Sequence, residues 1–426
     1  MIFPSMTRSP IVPLGSVAKT GPGMGTLAAL ARLLSCALLA VACGWSASSH
    51  AADPTPPAAV AQDTPPRVFP VTPTRKPDGA RWRLGYLQGG DYGDYPIILS
   101  AIVRGMITLG WLEDLEIPDA RITSSHDIWA FLATRAKSQY VEFVPDAYYS
   151  PGNFNAKLRP EVRDAVTARL NDKRDLDMMI AMGTWAGQDL ARAKISVPTI
   201  VASTSDPVAA GIITSIEDSG RDHIHAKVEP ERYQRQVQLF HDIVPFKRLG
   251  IVYENSAEGR TFGGVDAVEQ MAAKLGFAIE ACHAPFNNVT PAEAMQGAQA
   301  CYAKVAAHAD AVYLTVHRGV TAQSLGPIVE ALLKAQLPSF SMLGSDEVRR
   351  GVLMSMAQAD YSHVGLFHAE VMARIFHGAS PRALSQVWLS PAEIAINLKT
   401  AEVIGFDPPI DILLASDEVY DSVGDK

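Results

Sequence analysis

From Trp82 onward the chain alternates short apolar runs with longer stretches whose apolar residues recur at helical spacing. Arg83-Leu84-Gly85-Tyr86-Leu87 predicts a strand, followed by Gly89-Gly90 and a helix from Tyr95 to about Leu109. Asp177 to Met182 reads as a buried strand ending at Gly183, with a helix from Trp185 to Ala193. Pro198 to Ala202 is the next strand, closed by Ser203-Thr204-Ser205-Asp206-Pro207. Ile117 to Asn155 fits this rhythm poorly and is expected to be an insertion with one helix near Ile128–Lys137.

The second half is more regular. Glu229 to Ile243 predicts a helix, Leu249 to Tyr253 a strand, Thr261 to Leu275 a helix and Phe277 to Ala281 a strand. Thr290-Pro291-Ala292-Glu293 is a capping box with proline at the first helical position, so a helix starts there. Ala311 to Thr315 predicts a strand, Ser324 to Gln336 a helix and Ser339 to Leu343 a strand. Strands alternating with helices imply parallel sheets with right-handed crossovers. Two such runs, divided by the polar stretch Glu217–Glu231, predict an α/β protein of two similar lobes, each a parallel sheet flanked by helices. No close internal repeat accompanies them.

The first 80 residues are of another kind. Leu33 to Cys43 is an uncharged run of eleven residues directly after Arg32, too short to span a membrane and of the length of a secretory signal. Ser49 and Ala51 are the small residues of a cleavage site, and residues before Met24 read as an over-extended start. Ala40-Val41-Ala42-Cys43 also resembles a lipobox, so Cys43 is an alternative processing point; cleavage near Ala51 is preferred. Asp53 to Ala80 holds eight prolines among 28 residues, the composition of a tether. Export to the periplasm is expected.

Composition narrows the partners. Of 37 Lys and Arg, three (Arg8, Lys19, Arg32) precede Ala52, leaving 34 against 45 acidic residues, a net charge of −11 on residues 52–426. So acidic a body argues against nucleic acid, which needs a basic face. Catalytic motifs are absent from the sequence: no G-x-S-x-G, no phosphate loop, no H-E-x-x-H and no C-x-x-C. His223 and His225 flank Ile224, but a third metal ligand is not evident, and a solvated pair is expected; no metal or cofactor is implied. Cys282 sits near the end of its strand, whereas Cys301 lies ten residues past Pro291, about 15 Å up a helix running back along the sheet. That register disfavours a disulfide and predicts two buried thiols.

What remains is a set of polar and aromatic residues placed just after strands, where open parallel sheets bind ligands. On the first lobe these are Gly89, Gly90 and Tyr92, then Thr184 and Trp185, then Ser203, Ser205 and Asp206. On the second they are Tyr253 and Asn255, Thr315 and His317, and Ser345. Hydroxyls and helix-start amides suit a carboxylate, and Trp and Tyr supply apolar walls. Asp206 before Pro207 is also a natural helix cap, and His317 is equally well read as a loop histidine. The expected ligand is a small carboxylate with an apolar or aromatic body, lined by Tyr92, Trp185 and Tyr253.

The order of motifs resembles a known family. Pro198-Thr199-Ile200-Val201 leading into Ser205-Asp206-Pro207-Val208-Ala209-Ala210-Gly211 is similar to the signature of ABC transporter substrate-binding proteins related to tryptophan and tyrosine uptake. Lys247 to Tyr253, Gly351-Val352-Leu353, Asp360-Tyr361, Gly365, Gly378 with Pro381, and Ile396 to Gly405 match in sequence order. The resemblance, from about Trp82 to Tyr420, implies a hinged, two-lobed type I periplasmic-binding fold that closes on a small molecule and delivers it to a membrane permease; a monomer is expected. It implies ligand contacts at Thr184, Trp185, Ser205 and Asp206. This chain departs from the pattern at Gly183-Thr184-Trp185-Ala186, in place of a threonine-proline-alanine turn, and at Ser219 to His223. The expected organisation is a signal over 1–51, a linker over 52–80, lobe 1 over 81–212 and 358–390, lobe 2 over 213–357, and a C-terminal crossover over 391–426. Crossings are expected near Ile213–His223 and Met356–Tyr361. At Ser390-Pro391-Ala392-Glu393 local capping favours a helix start, but the resemblance implies a strand at Glu393–Ile396, which is followed here. A ligand-sensing subunit, or an exported enzyme on the same scaffold, is the alternative function.

Overall fold

A computed structural model describes residues 68–356, 361–389 and 393–424. The signal, the lipobox and the start site lie outside the described residues, as do residues 52–67 of the linker, residues 357–360 of the second crossing and the cap at Ser390.

The first lobe runs β1 (Trp82–Gln88), α1 (Asp94–Thr108), α2 (Ser125–Arg135), β2 (Val141–Tyr149), α3 (Arg159–Ala168), β3 (Met178–Met182), α4 (Thr184–Arg192), β4 (Thr199–Ala202) and β5 (Ile224–Ala226). Its sheet is parallel throughout, in the order β2-β1-β3-β4-β5. Strand β3 explains why the central runs are apolar at every position. Met178, Ile180 and Met182 enter one core with Leu84 and Tyr86, while Met179 and Ala181 enter another with Leu87 and Leu190. A strand covered on both faces has no polar side to show.

The second lobe follows as α5 (Arg232–Ile243), β6 (Arg248–Tyr253), α6 (Ala257–Phe262), α7 (Val265–Leu275), β7 (Ala278–His283), α8 (Pro291–Ala306), β8 (Ala311–Leu314), α9 (Leu325–Lys334), β9 (Ser339–Ser341), α10 (Ser345–Arg349) and β10 (Met354–Met356). Helix α11 (Ser362–Phe376) then packs on α1 of the first lobe. A Cβ on Gly365 would fall 2.2 Å from the Ala101 carbonyl, and one on Gly105 would fall 2.8 Å from the Gly365 oxygen. Two glycines therefore set this close helix contact. The chain ends with β11 (Ile394–Asn397), α12 (Leu398–Ile404), α13 (Ile410–Ala415) and β12 (Ser416–Tyr420). The second sheet has the order β12-β11-β10-β9-β8-β6-β7, parallel except where β10 meets β11.

Several expectations change. The supposed insertion contains β2, an edge strand of the first sheet; Pro145-Asp146 interrupts its pattern at a register shift, where Leu84 pairs with Phe143 but Tyr86 with Tyr148. Proline and bulges belong on edges. The polar separator contains β5, so the first sheet extends past the expected boundary at 213, and the first crossing is Lys227–Glu231. The expected single helix over Thr261–Leu275 is divided at Gly263-Gly264, where Gly264 has φ +59°. The segment expected as a C-terminal crossover supplies two strands of the second sheet, including the one at 394–397. His223 and His225 are not a solvated pair: His225 is fully buried with its Nε2 2.9 Å from the Ser385 carbonyl, and the His223 ring meets the Leu190 carbonyl at 3.1 Å.

The thiol expectation is overturned as well. Cys282 and Cys301 form a disulfide with their Cα atoms 5.4 Å apart. Two separate thiols would follow only if α8 started level with the end of β7. The loop between them, Ala284 to Thr290, is long enough to reach ~20 Å when extended. It carries the helix start well past the strand, so the eleventh helical residue, Cys301, returns level with Cys282. Glu254 holds that loop, accepting from the backbone N–H groups of Phe286 (3.0 Å) and Asn287 (2.8 Å) and from Asn287 Nδ2 (2.7 Å).

Candidate functional site

Segments following the strands of both sheets line one cavity. After β1 come Tyr92, Asp94 and Ile98; after β4 come Ser203, Thr204 and Ser205; after β5 come Lys227, Glu229, Arg232 and Tyr233. The second sheet contributes Val316, Met342, Leu343 and Met356, and the returning chain adds Tyr361, Val364 and Trp388. The cavity volume is about 100 Å³. Drug-sized pockets occupy roughly 300–1,000 Å³. The space therefore suits a ligand of few heavy atoms, or widens by opening of the lobes.

Its walls are polar and charged. Tyr361 donates to Asp94 Oδ2 at 2.9 Å, and burial raises the Asp94 pKa against the pull of that bond and of Arg232. Lys227 lies 4.7 Å over the Trp388 ring and 3.8 Å from Glu229. Burial, aided by the Arg232 charge, pushes its amine down to about 8. Glu229 is held by Arg235 at 3.1 Å and lies 3.8 Å from Arg232. Tyr233 donates to the Ser205 carbonyl at 3.2 Å. Ser203 has φ +56°, a left-handed conformation that is costly for serine and concentrates at binding sites. The Thr204 hydroxyl is buried without a partner among the described residues. Two cations and two carboxylates face this small space together with a row of hydroxyls.

Of the predicted site residues, Tyr92, Ser203 and Ser205 line this cavity. The others lie elsewhere. Asp206 accepts from the backbone N–H groups of Val208 and Ala209, both at 2.9 Å, and so serves as a cap. Asn255 is exposed. The buried Thr315 hydroxyl donates to the Val252 carbonyl. Ser345 is buried at the start of α10, and Tyr253 packs edge-on against His283 at 4.8 Å. Thr184 is buried at the start of α4. Gly90, Trp185 and His317 belong to an aromatic contact between the lobes, in which Phe154 meets Trp185 and Phe286, and Phe286 meets His317. Burial pushes His317 down to about 4. Of the cavity's charged residues that the sequence reading did not single out, Asp94 had no signal beyond its place after β1, whereas Lys227, Glu229 and Arg232 had one. A charged run where the strand rhythm stops is where the chain changes lobe.

A family model described as ABC transporter substrate binding protein matches residues 154–420. The chain belongs to that family. A tyrosine-binding protein of Clostridioides difficile (strain R20291) is 23% identical over 281 residues, 63% of this chain and 76% of the relative. Among solved structures, the ABC domain from Streptococcus pneumoniae in complex with L-Trp is similar at TM-score 0.61 and 18% identity, covering 80% of this chain and all of that one. The ligand-free, open structure of a Clostridium difficile substrate-binding protein with adhesive properties matches at TM-score 0.51 and 19% identity, over 80% of this chain and all of that one. The substrate-binding protein is thus a two-lobed α/β protein of the type I periplasmic-binding class. Among its described residues no helix is long and apolar enough to cross a membrane.

Proposed function

We propose that this substrate-binding protein works outside the cytoplasm as a monomer, closes on a small amino-acid-like zwitterion, and passes it unchanged to the permease of an ABC importer. The observation that carries this reading is the pairing of opposite charges across one cavity made by both lobes. Arg232 with the hydroxyls of Ser203, Thr204 and Ser205 suits a carboxylate; Asp94, oriented by Tyr361, suits an ammonium group. Charge-assisted bonds contribute ~1.5–3 kcal/mol each, enough in sum for micromolar affinity. Relatives that bind tyrosine or tryptophan support the amino-acid class. Lining from both lobes and from the crossing residues Lys227 and Glu229 supports closure on the ligand.

The test is native mass spectrometry of protein purified from the cell envelope, followed by thermal unfolding with each standard amino acid. A retained ligand and a saturable rise in Tm with at least one amino acid are expected, since ligand at 100 times Kd adds ~2.7 kcal/mol. If no amino acid or small carboxylate is retained or raises Tm, the reading fails.

A further inference from the structure

The loop between β2 and α3 carries Phe154, which is 3% exposed although it sits in the cleft between the lobes. Its ring stands edge-on to Trp185 of its own lobe and to Phe286 of the other, with both centroid distances 5.7 Å. The Arg318 guanidinium lies 5.6 Å from the same ring and donates to the Phe286 carbonyl at 2.9 Å. Phe154 is thus held as an aromatic ligand would be, by walls from both lobes and a cation over its face.

The loop is seated firmly. The Phe154 N–H donates to the Gly152 carbonyl at 2.9 Å, and the backbone has φ +53°. A Cβ at Gly90 would fall 2.4 Å from the Phe154 nitrogen, so the β1–α1 turn and this loop touch backbone to backbone. Downstream, Arg159 clamps the loop to α4 through Asp189 at 2.9 Å and the Trp185 carbonyl at 3.2 Å. The Trp185 indole N–H stays buried and without a partner among the described residues, the mark of an aromatic box filled by a group that cannot accept a hydrogen bond.

We propose that Phe154 is a specificity-determining residue: it fills the aromatic box and confines the ligand to the polar cavity beside β4 and β5, excluding side chains of benzyl size or larger. The inference rests on the amino-acid reading above. The protein therefore selects small amino acids, unlike its tyrosine-binding relative.

The test compares wild type, Phe154→Ala and Phe154→Leu by calorimetry with glycine, L-Ala, L-Ser, L-Thr, L-Phe, L-Tyr and L-Trp, and by thermal shift with toluene. Wild type is expected to bind a small amino acid at least tenfold more tightly than any aromatic one. Phe154→Ala should gain at least tenfold for an aromatic amino acid while its affinity for the small one stays within threefold. Phe154→Leu, which keeps most of the volume, should gain less. Wild type binding L-Tyr or L-Trp as well as any small amino acid overturns the proposal, as does a folded Phe154→Ala protein with no aromatic gain. If no amino acid binds any of the three proteins, the amino-acid reading fails, and toluene decides the box separately. Uptake by Phe154→Ala but not by wild type supports a preformed box; equal response from both overturns it.

Discussion

Reducing the Cys282–Cys301 bond should destabilise the second lobe by about 3 kcal/mol. The bond closes a loop of sequence separation 19. In the chain-entropy treatment a loop of that length removes ~11 cal/mol/K from the unfolded ensemble, worth ~3 kcal/mol at 25 °C. The bridge fastens the long β7–α8 loop at its base, and the same loop carries Phe286 into the cleft. Cys282 and Cys301 are 9% and 6% exposed, so reduction under native conditions should be slow and is best done by unfolding in reductant and refolding. The assay is urea unfolding followed by fluorescence and circular dichroism, with thiols counted by alkylation and mass. For a cooperative unit of 150–250 residues, 3 kcal/mol corresponds to a Tm lowered by about 6–12 °C. Free thiols in protein isolated from the cell envelope without reductant would refute the bond itself. A change under 0.5 kcal/mol with reduction verified would refute the energetic argument.

Other perturbations probe the cleft and the core. Arg232→Met should weaken the binding of whichever amino acid is found by at least tenfold while leaving the far-ultraviolet spectrum unchanged; unaltered calorimetric affinity would remove Arg232 from the site. Asp94→Asn should cost a similar factor, and unchanged affinity would show that no ammonium group sits beside it. Gly90→Ala forces a Cβ to within 2.4 Å of the Phe154 nitrogen, so it should lower Tm by several degrees and disturb Trp185 fluorescence; wild-type values for both would refute the close approach. Burial pushes His225 and His317 to about 4 and His368 well below the usual histidine value. Above pH 6.5 these groups are neutral folded or unfolded; below it the unfolded chain takes up protons that the folded protein refuses, so stability falls between pH 6.5 and 4. Each histidine contributes up to ~1.4 kcal/mol per pH unit. Glu347, raised by burial to about 7, works the other way in the same window and offsets about one of them. His368→Leu should therefore flatten the acid limb of urea midpoints measured from pH 7 to 5, and an unchanged slope would refute a neutral buried His368.

Most elements could be read because their physics is local. The capping box at Thr290 is present with both of its hydrogen bonds, and the β3 run is a strand because it is apolar on both faces. The misreadings are cases where tertiary position overrode local pattern. Strand β2 carries a proline and a register shift that only an edge tolerates. Strand β5 is three residues long with a histidine at its centre, and only the burial of His225 between β4 and Phe367 of α11 makes that a strand environment. The disulfide is not legible because sequence does not show that the Ala284–Thr290 loop carries the start of α8 past the end of β7.

The site was half legible for a related reason. Sequence places residues at strand ends, and both lobes do bring their strand ends together; what it does not give is which neighbours fill the space there. Trp185 satisfies every expectation for a ligand wall except that Phe154, from a segment read as an insertion, is already packed on it. The polar cavity proposed as the site lies against the crossings, where Lys227, Glu229 and Trp388 meet Asp94 and Tyr361. In one dimension Lys227 and Glu229 belong to the polar stretch that divides the two runs. In three dimensions the point where a chain leaves one lobe for another is also the back wall of the cleft between them. Its charged residues Lys227 and Glu229 are largely shielded from water, and a closing motion of the proposed kind would act on their surroundings first. Binding energy placed there acts on closure directly, which gives a reason for recognition groups of a two-lobed binding protein to concentrate beside its crossings rather than at the tips of its strands.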